Sequence, residues 1–161
     1  MTTIKEGDAL PAATLLKATD SGVEPVETAS LTGRVALFGL PGAFTGTCTT
    51  QHLPSFMRNV EAFAAKGVDR VVCVAVNDPF VLQAWDEATG AAKAGVEILS
   101  DAEGKLTRAL GLDFDVPAFG LFGRAKRFAM LVRDGKVEAL NLEEKPGACD
   151  LTAGESLLER A

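Results

Sequence analysis

The sequence predicts a three-layer α/β fold with a mixed central β-sheet flanked by helices, and three observations carry that expectation. Val35 to Leu40 and Val71 to Val76 are short, continuous apolar runs, the pattern of strands buried on both faces. Each is followed by apolar residues at helical spacing. Farther along, Asp134-Gly135 joins two strand-like segments as a hairpin turn, adding antiparallel strands to a sheet that would otherwise be parallel.

The elements follow in order. Residues 1–30 read as an irregular entry with a short hairpin, Ala13 to Ala18 pairing with Val23 to Val26 across Ser21-Gly22. Behind the first buried strand, Leu53, Phe56, Met57, Val60, Phe63 and Ala64 recur at helical spacing until Lys66-Gly67. Pro54 leaves the start of this helix open anywhere between Thr47 and Pro54, because proline either kinks a helix or opens it at the first position. Asn77-Asp78-Pro79 predicts an N-cap with proline just inside, and Phe80, Val81, Ala84, Trp85 and Ala88 share a face behind it. Val96 to Leu99 is a short strand, Ser100-Asp101 caps a helix with Leu106, Ala109 and Leu110, and Gly111 ends it. Arg127 to Arg133 and Lys136 to Leu142 form the hairpin, and Thr152-Ala153-Gly154-Glu155 reads as a capping box for a closing helix. No repeat or interdomain linker interrupts the pattern, so residues 1–161 are expected to form one domain.

Composition bounds the function. The 161 residues carry 47% hydrophobic and 24% charged side chains, ordinary for a soluble globular protein. A net charge of −6 argues against nucleic acid as a partner. No apolar run approaches the ~20 residues that span a bilayer, so no membrane role is expected. Three cysteines do not make a disulfide framework, and the N-terminus has acidic residues where a signal peptide would be apolar. A reducing, cytoplasmic setting is the expectation from these two features.

The cysteines separate by setting. Cys73 lies among valines in an apolar strand and reads as a small buried hydrophobe. Cys48 follows a Pro- and Gly-rich turn at the carboxyl end of a strand, where open α/β sheets place their sites. If the helix starts early, unsatisfied amides and the macrodipole favour its thiolate. Cys149 lies in the loop Lys145 to Asp150. Zinc is disfavoured because the cysteines are scattered and His52 is the one histidine. His52, four residues past Cys48, reads as a half-buried helix histidine rather than the partner base of a hydrolase. No C-x-x-C pair supports a dithiol reductase. What survives is a single activated thiol, whose simplest chemistry is attack on a peroxide.

Pro41-Gly42-Ala43-Phe44-Thr45-Gly46-Thr47-Cys48 resembles the P-x-x-x-T-x-x-C active-site pattern of the peroxiredoxins. His52-Leu53-Pro54, Val76 to Phe80 with Trp85, and Arg124-x-x-Arg127-Phe128-Ala129-Met130 are similar to the type II, peroxiredoxin-V-like branch. The resemblance implies a thioredoxin-like sandwich, a homodimer, no cofactor, and reduction of hydrogen peroxide and alkyl hydroperoxides through a Cys48 sulfenic acid. It also implies roles for three neighbours: Thr45 bonds thiolate and peroxide, Pro41 shields the pocket, and Arg124 favours the thiolate. Without the resemblance Arg124 reads as one surface charge among several, and Thr45 and Pro41 as turn residues. Gly46, Ser55 and Ala125 depart from the residues many relatives carry. The expected reductant is glutathione with glutaredoxin. The alternatives are thioredoxin, with Cys149 resolving Cys48 as a disulfide, and a non-catalytic redox sensor or chaperone using the same thiol.

Overall fold

The structure is a computed structural model and describes residues 3–145 and 148–161. Its strands are β1 (Thr14–Thr19), β2 (Gly22–Glu27), β3 (Arg34–Leu40), β4 (Arg70–Ala75), β5 (Val96–Ser100), β6 (Asp113–Val116), β7 (Leu121–Ala125), β8 (Phe128–Arg133) and β9 (Lys136–Leu142). The α-helices are α1 (Leu53–Met57), α2 (Val60–Ala65), α3 (Pro79–Thr89), α4 (Ala91–Ala94), α5 (Lys105–Ala109) and α6 (Gly154–Leu158). Seven strands form one sheet in the order β2-β1-β5-β4-β3-β8-β9, while β6 and β7 pair separately. The central strands β3, β4 and β5 are parallel, and β1 and β8 meet them antiparallel. The mixed sheet expected from the sequence is therefore present.

Strand alternation splits the apolar residues between two cores. Ala36, Phe38 and Leu40 of β3 join Cys73 of β4 on one face, covered by Leu53, Phe56, Phe63, Trp85 and Leu157. Val35 and Leu37 point the other way, with Val72, Val74, Leu106 and Leu110. Phe38 stacks on Phe56 with ring centroids 3.9 Å apart, tying the central strand to α1. The register of β8 on β3 matters most for function. Gly39 faces Phe128, so the start of β8 lies beside the end of β3. Gly39 has no room for a side chain, because a Cβ there would come within 2.2 Å of the Phe128 ring.

Most local signals survive folding. Asp78 caps α3, its Oδ1 accepting from the amides of Phe80 and Val81 at 2.9 Å each. The turn between β8 and β9 puts Asp134 and Gly135 at φ of 47° and 81°, as a tight hairpin of this hand requires. The closing helix forms, but without the expected capping box. Ala153 is its N-cap, the Thr152 hydroxyl donates to Glu143, and Glu155 pairs with Arg58 instead of turning back. Tertiary partners have displaced the local pairing. The β6–β7 hairpin was missed, since Asp113 to Ala125 shows neither a long apolar run nor clean alternation. Part of the Cys149 loop expectation, at Pro146 and Gly147, lies outside the described residues, as do Met1 and Thr2.

Candidate active site

At the end of β3 the chain turns through Pro41 to Phe44 and enters a helix at Gly46. The amide of Ala43 donates to Oδ1 of Asn77 at 2.9 Å, fastening this turn to the end of β4. The Thr45 hydroxyl donates to the Gly42 carbonyl at 2.7 Å, and the Thr49 amide to the Thr45 carbonyl at 3.1 Å. Cys48 thus sits in the first turn, at the early end of the range left open by the sequence. The helix reaches past Pro54 by widening. Residues Cys48–His52 form a π-turn in which the Leu53 amide reaches the Cys48 carbonyl, and α1 continues from there. A π-turn inside a helix absorbs a register mismatch, and Pro54 supplies one by lacking an amide donor. The Trp85 indole donates to the Thr49 hydroxyl at 3.1 Å, pinning the outer side of the turn.

Cys48 is fully buried, and the group that meets its sulfur is Arg127. Nη2 of Arg127 donates to Sγ at 3.3 Å, while Nη1 lies 3.1 Å from Nδ1 of His52. Arg127 is only 3% exposed, so this cation is held inside the protein beside the sulfur. Arg124, expected to hold that position, donates instead to the Pro41 carbonyl at 3.0 Å. The reason is register. Arg124 belongs to β7, outside the main sheet, whereas Arg127 precedes β8 at the point where β8 meets the end of β3. Residue spacing does not show this, because Arg127 reaches the sulfur through the pairing of β8 with the end of β3.

His52 is fully buried rather than half-buried. Burial, and then the charge of Arg127, lower its pKa to about 3, so the ring is neutral at ordinary pH. Its Nε2 lies 3.0 Å from the Thr152 carbonyl, an acceptor only, which assigns the ring proton to Nε2 and leaves Nδ1 to accept from Arg127. Cys73 is buried as expected, and desolvation pushes its thiol well upward. Cys149 is half-exposed; burial raises its pKa, opposed chiefly by the charge of Arg127.

Beside this assembly lies a cavity of about 360 Å³ lined by Pro41, Thr45, Gly46, Thr47, Phe114, Val116, Phe119, Leu121 and Arg127. Its apolar wall is the unforeseen β6–β7 hairpin. Arg127 and the head of the helix, Thr45 to Thr47, open onto the same cavity. Among the described residues no group of three or more His, Cys, Asp or Glu side chains is arranged to hold a metal ion, and no helix is long and apolar enough to cross a membrane.

The family model described as Redoxin matches residues 5–158. Peroxiredoxin-2E-2, chloroplastic, from Oryza sativa subsp. japonica is 47% identical over 163 aligned positions, covering 98% of this chain and 72% of its own length. The chain belongs to the peroxiredoxins. Peroxiredoxin-2F, mitochondrial, from Arabidopsis thaliana is 46% identical over 78% of this chain, and that alignment spans 62% of the relative. Reduced Prx3 from Vibrio vulnificus, solved in complex with hydrogen peroxide, superposes with a TM-score of 0.91 at 38% identity, covering 98% of this chain and 99% of that one. Peroxiredoxin 5 from Alvinella pompejana follows at TM-score 0.82 and 30% identity, covering 97% and 96%. These neighbours bear out the type II branch and the thioredoxin-like fold of this peroxiredoxin. Its function is that of the family, a thiol peroxidase acting on peroxide with thiol reductants. The cytoplasmic expectation is corrected by the same relatives, whose names are mitochondrial and chloroplastic. Free thiols report a reducing environment, not one compartment.

Proposed function

We propose that Cys48 is the peroxidatic cysteine and reduces hydrogen peroxide and alkyl hydroperoxides, with Arg127 in the activating role that the family resemblance implied for Arg124. The observation that carries this reading is the buried guanidinium donating to Sγ at 3.3 Å at the head of a helix, beside an open pocket. The thiolate sulfur attacks the nearer peroxide oxygen, the S–O bond forms as the O–O bond breaks, and the departing alkoxide takes a proton to leave as ROH. Arg127 offers donors where negative charge moves from sulfur to oxygen. Thr45 and Pro41 line the entrance and shape the approach of the oxidant. Arg124 supports that entrance through the Pro41 carbonyl. Cys48→Ser is expected to abolish peroxide consumption, and sustained turnover by that variant would end this assignment.

Glutathione with glutaredoxin is the proposed reductant. One glutathione thiol displaces water from the sulfenic acid to form a mixed disulfide, and a second thiol releases Cys48 as oxidised glutathione leaves. Because Cys48 is fully buried, the first turn must open before a thiol of this size reaches the sulfur. The competing route, in which Cys149 resolves Cys48 and thioredoxin reduces the disulfide, is separated by mass spectrometry after one equivalent of peroxide. A persisting Cys48 sulfenic acid supports the external thiol, and an internal Cys48–Cys149 disulfide rejects it. A homodimer is part of the proposal.

A further inference from the structure

Directly after β9, the carboxylate of Glu143 accepts from the amides of Asp150, Leu151 and Thr152 at 3.1, 3.3 and 3.1 Å, and from the Thr152 hydroxyl at 2.7 Å. An anion gripped by successive amides fixes the backbone that supplies them. What it fixes here is the Thr152 carbonyl, the acceptor for Nε2 of His52 at 3.0 Å. With its proton committed there, His52 presents the Nδ1 lone pair to Nη1 of Arg127 at 3.1 Å, and Nη2 of the same guanidinium meets Cys48 Sγ. Cys48, His52 and Thr152 are fully buried and Arg127 nearly so, which keeps water from substituting for any of these bonds.

We propose that His52 is a positioning residue for Cys48, orienting Arg127 through Nδ1, and that Glu143 sets His52 through the loop ending at Thr152. This deepens the peroxidatic reading of Cys48 and rests on it. An arginine has many rotamers, and one contact to sulfur does not select among them; a second acceptor on the neighbouring nitrogen does. Neutrality of His52 is part of the device, since a doubly protonated ring would turn a donor toward a cation. The other titratable groups facing the assembly are Cys73 from β4, whose thiol feels both Cys48 and Arg127, and Cys149 from the same loop, which feels Arg127 and Glu143. The loop that carries Cys149 is thereby joined to the sulfur, and releasing it releases the arginine.

Two substitutions divide the roles of the imidazole. His52→Asn keeps an acceptor near Nδ1 but loses the Thr152 bond; His52→Gln keeps the donor toward Thr152 but loses the acceptor for Arg127. The readouts are the pH midpoint of Cys48 alkylation, followed by mass spectrometry of the Cys48 peptide, and kcat/KM for hydrogen peroxide. His52→Gln is expected to raise the midpoint by about one pH unit and to lower kcat/KM about tenfold near neutrality, with His52→Asn clearly milder. Glu143→Gln moves both readouts in the same direction by less. Equal shifts in the two His52 variants, or wild-type midpoints in all three, overturn the proposal. If the buried variants do not fold, Glu143→Gln and Thr152→Val decide it, and unchanged midpoints there also overturn it. Alkylation does not require turnover, so loss of the peroxidase reading and loss of this coupling are separate results.

Discussion

At Cys48 the proposed activating group is a single guanidinium, where many cysteine enzymes use a general base. In the proposed mechanism the contribution of Arg127 to peroxide cleavage is the placement of its donors, and geometry governs it. Arg127→Gln is therefore expected to slow the peroxidatic step about 100-fold or more, the range for removing a donor aimed at developing charge. Arg124→Ala, which loses the bond to the Pro41 carbonyl, should cost less than about tenfold. Stopped-flow kinetics of the sulfenylation step tests both, and the reverse ranking would return the activating role to Arg124. His52 adds a pH dependence of stability. The unfolded chain protonates this histidine near 6.5, but the folded protein does so only near 3. Between those values the unfolded state binds more protons, so stability falls as pH is lowered through that window, by about 2 kcal/mol at about pH 5. Urea unfolding of the protein and His52→Gln at neutral and mildly acidic pH should show the steeper loss only with His52 present. At this scale the nearness of Cys48, Thr45 and Pro41 was legible because they share one turn. That Arg127 rather than Arg124 meets the sulfur was not, because residue spacing does not carry strand register.

The element that governs the site is the helix running from Gly46 through the π-turn into α1. In the proposed cycle its first turn holds Cys48 for the peroxide and then releases it for a thiol. Gly46 is the loosest residue there, with nothing within 4 Å of where a Cβ would lie and no positive φ to forbid one. Gly46→Ala is expected to stabilise the fold by about 0.5–1 kcal/mol while slowing recycling of oxidised Cys48, because the same turn becomes harder to open. Thermal unfolding and single-turnover reduction by glutathione check the two halves, and faster recycling would contradict the second. The far end of the helix is constrained in the opposite sense. A Cβ on Gly154 would lie 2.2 Å from the Ser55 carbonyl, so Gly154→Ala should destabilise by about 1–3 kcal/mol, measured by chemical denaturation. Helix spacing and the Asp78 cap were readable locally. The π-turn was not, since Pro54 signals an irregularity without saying on which side it is absorbed.

Across the whole molecule, buried strands of continuous apolar sequence specified the centre of the sheet, and the Asp134-Gly135 turn specified one edge. The β6–β7 hairpin escaped detection because its apolar side chains serve a pocket and a surface rather than the core. Phe119 and Phe122 on that hairpin, Phe44 after β3 and Phe80 at the start of α3 are 58–79% exposed. The proposed homodimer is expected to cover them. Phe122→Glu should convert dimer to monomer in sedimentation velocity, whereas a wild-type monomer at micromolar concentration would remove the dimer from the proposal. The Thr152 carbonyl has a consequence of its own during synthesis. A ribosome that has delivered Cys48, His52 and Arg127 has not yet delivered the residue that sets them. On the proposed coupling, a nascent chain therefore carries its thiol with Arg127 not yet fully positioned, and Cys48 gains its full reactivity only once Thr152 has been delivered.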